Sequence, residues 1–330
     1  MTAVILAGDV GGTKSHLGLF RLQNGSPKPL REHRYQTADF RSLEDVCADF
    51  LGAQKEPLQA ACFGVPGPII SGQARATNVH WSMREDRLRD ALGGTPVKLI
   101  NDLGAAAYGV MHLADSELCV LQRGAFQMHQ GDVAIIAAGT GLGQGALAFA
   151  NGRYYAIASE GGHASFAPSN DEQIELYRYL RARFGHVSAE RVLSGPGLFN
   201  IYSFLRQHRQ TPEPSWLTAR FAEEDSSAVV SEVALQHRDA VCEHALEMFV
   251  DIYGAEAGNL ALKVLALGGV YLSGGIAPKI LPALTDGRFI RAFVDKGRLD
   301  EILSKIEVRI ALNQGTGLVG AAYCAMSMLE

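Results

Sequence analysis

Two glycine-rich turns have the composition that lets backbone amides approach phosphate oxygens closely. Residues 8–13 (GDVGGT) add the carboxylate of Asp9, which can hold Mg²⁺ through water. Residues 139–143 (GTGLG) add the hydroxyl of Thr140, which can donate to a phosphate. Neither is a Walker loop, because the spacing G-x-x-x-x-G-K-[ST] is absent. Taken alone, the first is equally explained as a hairpin turn capped by Asp9, and the second is no more specific.

A third turn, Ser273-Gly274-Gly275-Ile276, follows an apolar strand pattern. Its glycines can let a nucleoside approach the backbone, and the alternative is a glycine pair that only packs against a helix. Three such turns in this order are far more specific than any one of them. The sequence therefore predicts a ligand that carries phosphates.

An adjacent amide and acid, Asn101 and Asp102, end the apolar segment PVKLI. Side chains at this position point beyond the carboxyl edge of an α/β sheet, where an acid can meet a substrate. An Asn-Asp pair is also a common helix start, and taken alone that interpretation is favoured.

A second group of polar residues comprises Glu160 and His163 in EGGH, with Glu190 downstream in HVSAERVLSGPGL. A Glu-x-x-His spacing can bind a metal on a helix, but the intervening glycines argue against a helix. The alternative is that these residues bind sugar hydroxyls, because a carboxylate accepts from two neighbouring hydroxyls in charge-assisted bonds. His186 is predicted to be structural.

The phosphate turns must be positioned by β-hairpins. VILAGDVGG followed by SHLGLFRL predicts two strands joined by a tight turn, and DVAIIAAGTGLGQGALAFANG repeats the pattern with a strand at 133–137. Two such units a domain length apart predict a duplicated architecture with a cleft between its halves. Chance recurrence is the alternative, given 36 glycines.

The remaining pattern alternates strands and helices. A strand that runs into a helix is predicted over residues 96–110, and the last residues predict a closing helix. After Gly274-Gly275 a helix is predicted with Pro278 in its first turn. Further helices are predicted at 43–51, 171–184, 196–208 and 216–221, with one long amphipathic helix at 228–263.

Composition limits the class of protein. A chain of 330 residues with 47% hydrophobic and 20% charged residues predicts two ordinary globular domains. The net charge of -5 and scattered basic residues predict a small-molecule partner, with no nucleic acid and no membrane. The five cysteines lie in apolar runs without metal-ligand spacing, which predicts reduced, buried thiols. Because the first residues do not resemble a signal peptide, a cytoplasmic location is expected.

Several motifs together resemble the bacterial glucokinase family nearly end to end: GDVGGT, IND, AAGTGLG, EGGHASFAP, GHVSAERVLSGPGL, GGVYLSGGIAP and FVDKGR. The resemblance implies the actin-like ATPase (ribonuclease H-like) fold, with a cleft between a small and a large α/β domain. The small domain would span residues 1–112 and be completed by the C-terminal helix 314–330, and the large domain would span 113–313. ATP with Mg²⁺ as the phosphoryl donor, and often a homodimer, are also implied.

The resemblance also assigns roles. Asp102 would be the base on the 6-hydroxyl of the sugar, while Asn101, Glu160, His163 and Glu190 would hold the other hydroxyls. The nucleotide would lie against Gly8, Asp9, Val10, Gly11, Gly12, Thr13, Gly139, Thr140, Gly141, Gly274 and Gly275. Ser165 stands where family members often have Asp, and Lys14 where some related enzymes have Asn.

The function implied is that of a glucokinase, which moves the γ-phosphoryl of ATP to the 6-hydroxyl of glucose. The nearest alternative is a kinase for another hexose or an amino sugar, because acids and amides alone do not identify one sugar. A non-catalytic actin-like sensor of sugar or nucleotide is a third hypothesis. The presence of Asp102 beside a full set of phosphate turns argues against it.

Overall fold

The computed structural model describes residues 3–52, 56–75, 81–126, 130–313 and 315–329. The chain forms two compact units. The first comprises Met1–Glu117, Gly145–Ser159 and Asn313–Glu330, and the second comprises Leu118–Gln144 and Glu160–Leu312. The domain boundaries expected near residues 112 and 313 stay a prediction.

The chain begins with a five-stranded sheet in the order β3-β2-β1-β4-β8. Strand β1 pairs with β2 in antiparallel fashion, and β1, β4 and β8 are parallel. The predicted first hairpin is therefore confirmed. In chain order the elements are β1 Val4–Val10, β2 Lys14–Gln23, β3 Ser26–Gln36, α1 Leu43–Leu51, β4 Ala60–Val65, β5 Ile69–Ile70, β6 Gln73–Arg75, β7 Ser82–Arg84, α2 Glu85–Ala91, β8 Val97–Asn101 and α3 Asp102–Val110.

Strand β1 has apolar side chains on both faces, as a strand covered on both sides requires. Its residues Val4 and Leu6 pack in the cluster that includes α1. Ile5 and Ala7 point the other way and pack in a second cluster, which includes residues of the C-terminal helix. The same alternation places Asp9 on the face of Ile5 and Ala7, toward that helix.

The rest of the chain contains a six-stranded sheet in the order β12-β11-β10-β13-β14-β9. Strands β10, β13 and β14 are parallel, and β9 is antiparallel to β14. The elements are β9 Leu118–Gln122, β10 Val133–Ala138, β11 Leu142–Ala150, β12 Arg153–Ile157, α4 Asp171–Phe184, α5 Gly195–His208, α6 Ser215–Glu223, α7 Ser226–Leu235, α8 Ala240–Val264, β13 Gly269–Ser273, α9 Leu281–Thr285, α10 Arg288–Val294, α11 Asp300–Leu303, β14 Val308–Ala311 and α12 Thr316–Ser327.

The helices predicted at 196–208, 216–221 and 314–330 differ from α5, α6 and α12 by one to three residues at their ends. Two other predicted helices differ more. The single helix predicted at 228–263 is wrong, because α7 ends at Leu235 and α8 begins at Ala240. His237 has φ of 53° between them, a left-handed conformation that a helix cannot contain. Asp239 then caps α8 by accepting from two backbone N–H groups. The helix predicted to start at Pro278 begins at Leu281 instead, after a turn.

The core of the second unit is a large cluster in which α5, α7 and α8 pack on β10, β13 and β14. The predicted helices at 43–51 and 171–184 have the predicted bounds. All five cysteines are free, four of them buried and Cys119 half-buried. Among the described residues, no helix is both long enough and apolar enough to cross a membrane.

Candidate active site

The first phosphate turn joins β1 to β2 and is braced by a residue that sequence reasoning missed. The N–H of Gly11 donates to the carbonyl of Lys14 at 2.9 Å, which closes the turn. The buried Thr37 donates its hydroxyl to the carbonyl of Gly11 at 2.9 Å and its N–H to that of Thr13 at 2.9 Å. Gly12 and Thr13 are exposed. The backbone of the turn is thus held from one side and open on the other.

Asp9 lies against the start of α12. A Cβ atom at Gly317 would stand 2.6 Å from the carboxylate carbon of Asp9, so only glycine permits this approach. Burial raises the pKa of Asp9, and the charge of Arg34 opposes that rise. The positive end of the helix dipole also favours the ionised carboxylate.

The surroundings of Asp9 fit an Mg²⁺ ion that is held by one carboxylate through water. Among the described residues, no three His, Cys, Asp or Glu side chains come together as a metal cage. Magnesium in phosphoryl-transfer enzymes typically keeps several waters and takes few carboxylates, with substrate phosphates as further ligands. A single carboxylate such as Asp9, acting through water, is compatible with that donor set.

The second phosphate turn joins β10 to β11. The N–H of Gly139 donates to the carbonyl of Gly141 at 2.9 Å, and the carbonyl of Gly139 accepts from the N–H of Gly195 at 2.8 Å. Thr140 at the tip is exposed. Leu142, two residues after Thr140, donates its N–H to Oε2 of Glu190 at 2.9 Å. This turn is therefore bonded to the segment that carries one of the predicted sugar-binding acids.

The third turn follows β13, the parallel neighbour of β10. Gly274 has φ of 86°, and a Cβ atom there would stand 2.5 Å from the carbonyl oxygen of Ala138 at the end of β10. The N–H of Ile276 donates to the same oxygen at 3.2 Å. A Cβ atom at Gly275 would meet open space. The second and third turns thus lie side by side at the carboxyl ends of adjacent parallel strands, where α/β sheets place ligands.

Asn101 and Asp102 lie at the start of α3, where both side chains accept from the backbone. Asn101 is the N-cap of α3, and its Oδ1 accepts from the N–H of Leu103 at 2.9 Å. Its Nδ2 donates to the carbonyl of Gly67 at 3.2 Å. Asp102 is the first helical residue, and its Oδ1 accepts from the same Leu103 N–H at 2.8 Å. The helix-start interpretation is correct for Asn101, and the carboxylate of Asp102 accepts from the same N–H group.

The strand register places Asp9 and the Asn101-Asp102 pair at one edge of the first sheet. Asp9 on β1 stands opposite Gly64 on β4, and Gly64 stands opposite Ile100 on β8. Because β1, β4 and β8 are parallel, their carboxyl ends meet at the same edge. The first unit therefore groups a phosphate turn with the predicted base.

The second unit groups the three other predicted sugar-binding residues. Glu160 precedes the 3-10 helix Gly161–His163, and His163 is its last residue. Both are exposed, and the N–H of His163 donates to the carbonyl of Glu160 at 3.0 Å. Glu190 lies in a second 3-10 helix. A β-bridge between Ser165 and Ser188 joins the two segments. Ser165, where the family often has Asp, is therefore part of the link between them.

His186 lies beside this link. Its Nε2 is 3.1 Å from the carbonyl oxygen of His163, so the ring braces the backbone of the segment. This contact agrees with the structural role predicted for it.

Comparison with known proteins shows the family. The glucokinase family model matches residues 6–328. A glucokinase of Nostoc sp. (strain PCC 7120) is 41% identical over 98% of both chains, and that of Synechocystis sp. (strain PCC 6803) is 40% identical over 97% of both. The crystal structure of a glucokinase from an Antarctic psychrotroph has a TM-score of 0.87 and 29% identity, and the match covers 99% of this chain and 100% of that one.

These matches confirm the resemblance and the actin-like α/β fold predicted from the motifs. The prediction of an ATP-dependent hexose kinase is confirmed at the level of the family. Similarity extends over nearly the whole length of both partners in each comparison, and therefore this chain belongs to the glucokinase family.

Proposed function

We propose that this protein transfers the γ-phosphoryl group of ATP to the 6-hydroxyl of glucose, with Asp102 as the base. The observation that carries the proposal is the position of Asp102 as the first residue of α3, at the carboxyl edge of a parallel sheet. Asn101 accepts from the same Leu103 N–H as Asp102, so the start of α3 does not depend on the Asp102 carboxylate alone. An acid at the carboxyl edge of parallel strands stands where α/β proteins bind ligands, which supports a chemical role for Asp102.

Asp102 would act as the phosphoryl group moves. A sugar hydroxyl has a far higher pKa than a carboxylate, so it is not deprotonated before attack. The carboxylate orients the hydroxyl and accepts its proton as the bond to phosphorus forms. The N–H of Leu103 donates to Oδ1 of Asp102 and so orients the carboxylate at the start of α3.

The other sugar hydroxyls would be held by Asn101, Glu160, His163 and Glu190. The two carboxylates accept from hydroxyls, and the imidazole and amide can donate to a sugar oxygen. Each partner that a sugar fails to supply leaves a polar group unpaired, which costs affinity. Glucose is therefore expected to be preferred over its epimers.

The nucleotide phosphates would lie on the two hairpin turns, residues 8–13 and 139–141, with Gly274 and Gly275 beside the nucleoside. Asp9 would hold Mg²⁺ through water. The ion, when bound, neutralises charge on the phosphates. The exposed backbone of Gly12, Thr13 and Thr140 supports the proposal that these turns receive a ligand.

A homodimer and a cytoplasmic location belong to the same proposal. The resemblance to the family suggests the first. The free and mostly buried cysteines agree with the second, because reducing compartments keep thiols unpaired.

The test is ADP release from ATP and Mg²⁺ in the presence of single hexoses. Release that depends on glucose, with a kcat/KM at least about 10²-fold above that for mannose or galactose, is expected. A comparable kcat/KM for several hexoses would show that glucose is not the specific substrate. A higher kcat/KM for an amino sugar would make that sugar the substrate. Absence of any sugar-dependent ADP from a folded protein would refute the kinase and leave a binding role.

A further inference from the structure

We propose that Glu190 is a positioning residue for the nucleotide phosphates, in addition to the sugar contact proposed above. Its Oε2 accepts from the N–H of Leu142 at 2.9 Å, across 48 residues of sequence. Leu142 directly follows the glycine turn that we propose receives the phosphates. The inference rests on the proposed function, because it assigns a second task to a residue of that site.

The turn and the carboxylate fit closely. A Cβ atom at Gly141 would stand 2.5 Å from Oε2 of Glu190. On the other side, a Cβ atom at Gly162 would stand 1.9 Å from the carbonyl oxygen of Leu142. The peptide groups around Leu142 are thus enclosed between Glu190 and the backbone of the EGGH segment. Both enclosing segments carry proposed sugar-binding residues.

One further bond joins the segment that carries Glu190 to the same turn, and a second bond lies within that segment. The hydroxyl of Ser194 donates to the carbonyl of Glu190 at 2.8 Å, and Ser194 also caps α5. The N–H of the next residue, Gly195, donates to the carbonyl of Gly139 at 2.8 Å. The segment from Glu190 to Gly195 therefore contacts both ends of the turn.

A carboxylate suits this double task because it has two acceptor oxygens. One oxygen holds the N–H of Leu142 in a charge-assisted bond, and the other can accept from a sugar hydroxyl. Without an acceptor at position 190, the buried Leu142 would lose the partner of its N–H, and the turn would relax. Nucleotide affinity should therefore depend on Glu190 even when no sugar is bound.

The first experiment measures the affinity for a non-hydrolysable ATP analogue with Mg²⁺ and without sugar. Glu190→Ala should bind it about 10-fold more weakly than the unchanged protein, whereas Glu190→Gln should stay within about 2-fold because the amide oxygen can still accept from Leu142. Glu160→Ala is the matched control, since the N–H of Leu142 donates to Glu190 rather than to Glu160, and it should also stay within about 2-fold. A residue that only contacts sugar predicts no change for any of the three.

The second experiment tests the link from the other end. Gly141→Ala pushes the carboxylate of Glu190 aside and should weaken glucose binding about 5-fold in the absence of nucleotide. Gly139→Ala adds the same methyl group to the same turn but meets nothing within 4 Å, and its glucose affinity should stay within about 2-fold. Melting temperatures of all variants identify any that fail to fold. The comparison of the Glu190 variants and the comparison of the glycine variants are independent tests.

The outcomes separate this inference from the proposed function. Unchanged nucleotide affinity in Glu190→Ala, or equal glucose affinity in the two glycine variants, would overturn the positioning role. The proposed kinase function would still stand if the unchanged protein releases ADP in the presence of glucose. Absence of glucose-dependent ADP release from the unchanged protein would instead refute the proposed function.

Discussion

Replacing Asp102 by Asn distinguishes a role as catalytic base from a role as helix cap, because Asn can cap a helix but cannot accept the proton. Asn at position 102 keeps the size of the side chain and an oxygen for the N–H of Leu103, which Asp102 holds at 2.8 Å. Asn101 holds the same N–H at 2.9 Å and is unchanged. The lost charge at the first turn of α3 is worth about 0.3–1 kcal/mol of helix stability. The melting temperature should therefore fall by no more than about 3 °C.

The effect on catalysis should be much larger. A positioned general base contributes roughly 10²- to 10⁴-fold to the rate, which corresponds to about 3–5 kcal/mol of transition-state free energy. The amide cannot accept the proton of the attacking hydroxyl, but it can still bond to that hydroxyl. We therefore expect kcat of Asp102→Asn to fall by that factor, while the Kd for glucose changes by less than about 5-fold.

The assay measures ADP release at saturating glucose and ATP, together with glucose binding and thermal unfolding of the same preparation. Asn101→Ala is the control for the cap, since it removes the bonds to Leu103 and to Gly67 and should cost about 1 kcal/mol of stability. A stable and fully active Asp102→Asn enzyme would show that the acid does no chemistry. A large loss of stability in this variant would instead show that Asp102 has a structural task.

Three further predictions concern other parts of the molecule. Glu160→Gln should raise the KM for glucose by at least about 10-fold and leave the KM for ATP within about 2-fold, measured by initial rates. Gly317→Ala should displace the carboxylate of Asp9 and raise the Mg²⁺ concentration needed for half-maximal activity, an outcome that a purely structural Asp9 would not produce. Asp239→Asn should lower stability by about 3 kcal/mol in denaturant unfolding, because the buried Arg206 loses its ion partner at 2.5 Å.

The pair of Asp239 and Arg206 also gives a pH dependence. Burial alone would raise the pKa of Asp239, but the bond from Arg206 and the backbone of α8 hold that pKa below its usual value. A carboxyl group with a lowered folded-state pKa adds stability that is fully present above the unfolded value near 3.9 and is lost as pH falls through the folded value. The free energy of unfolding of the unchanged protein should therefore fall more steeply with decreasing pH below about pH 4. The fall should be less steep in Asp239→Asn.

Much of the local structure could be predicted from the sequence because it depends on near neighbours in the chain. The bounds of α1 and α4 follow from helical apolar spacing and from the capping residues Ser42 and Asn170. The hairpins at both phosphate turns follow from apolar strands around glycines. The motifs, in their order, were enough to indicate the family.

The break between α7 and α8 could not be predicted in the same way. Apolar residues recur at helical spacing within each helix, and the only interruption between them is the short polar run 236–239, which is also compatible with the exposed face of one helix. The left-handed conformation of His237 arises without a glycine, which is the usual signal for it. The Asp239 cap begins α8 after the break, and residues of both helices pack in the core of the second unit.

The sequence by itself determined which residue types are available for chemistry, where the turns lie and which strands and helices carry them. Tertiary structure alone decided which distant residues meet: Thr37 braces the first turn, Gly317 admits Asp9, and Glu190 holds Leu142. Propensity and periodicity act over a few neighbouring residues, whereas these contacts join segments that only packing brings together. For that reason a motif was enough to propose Glu190 as a sugar-binding acid, but its bond to Leu142 could not be predicted.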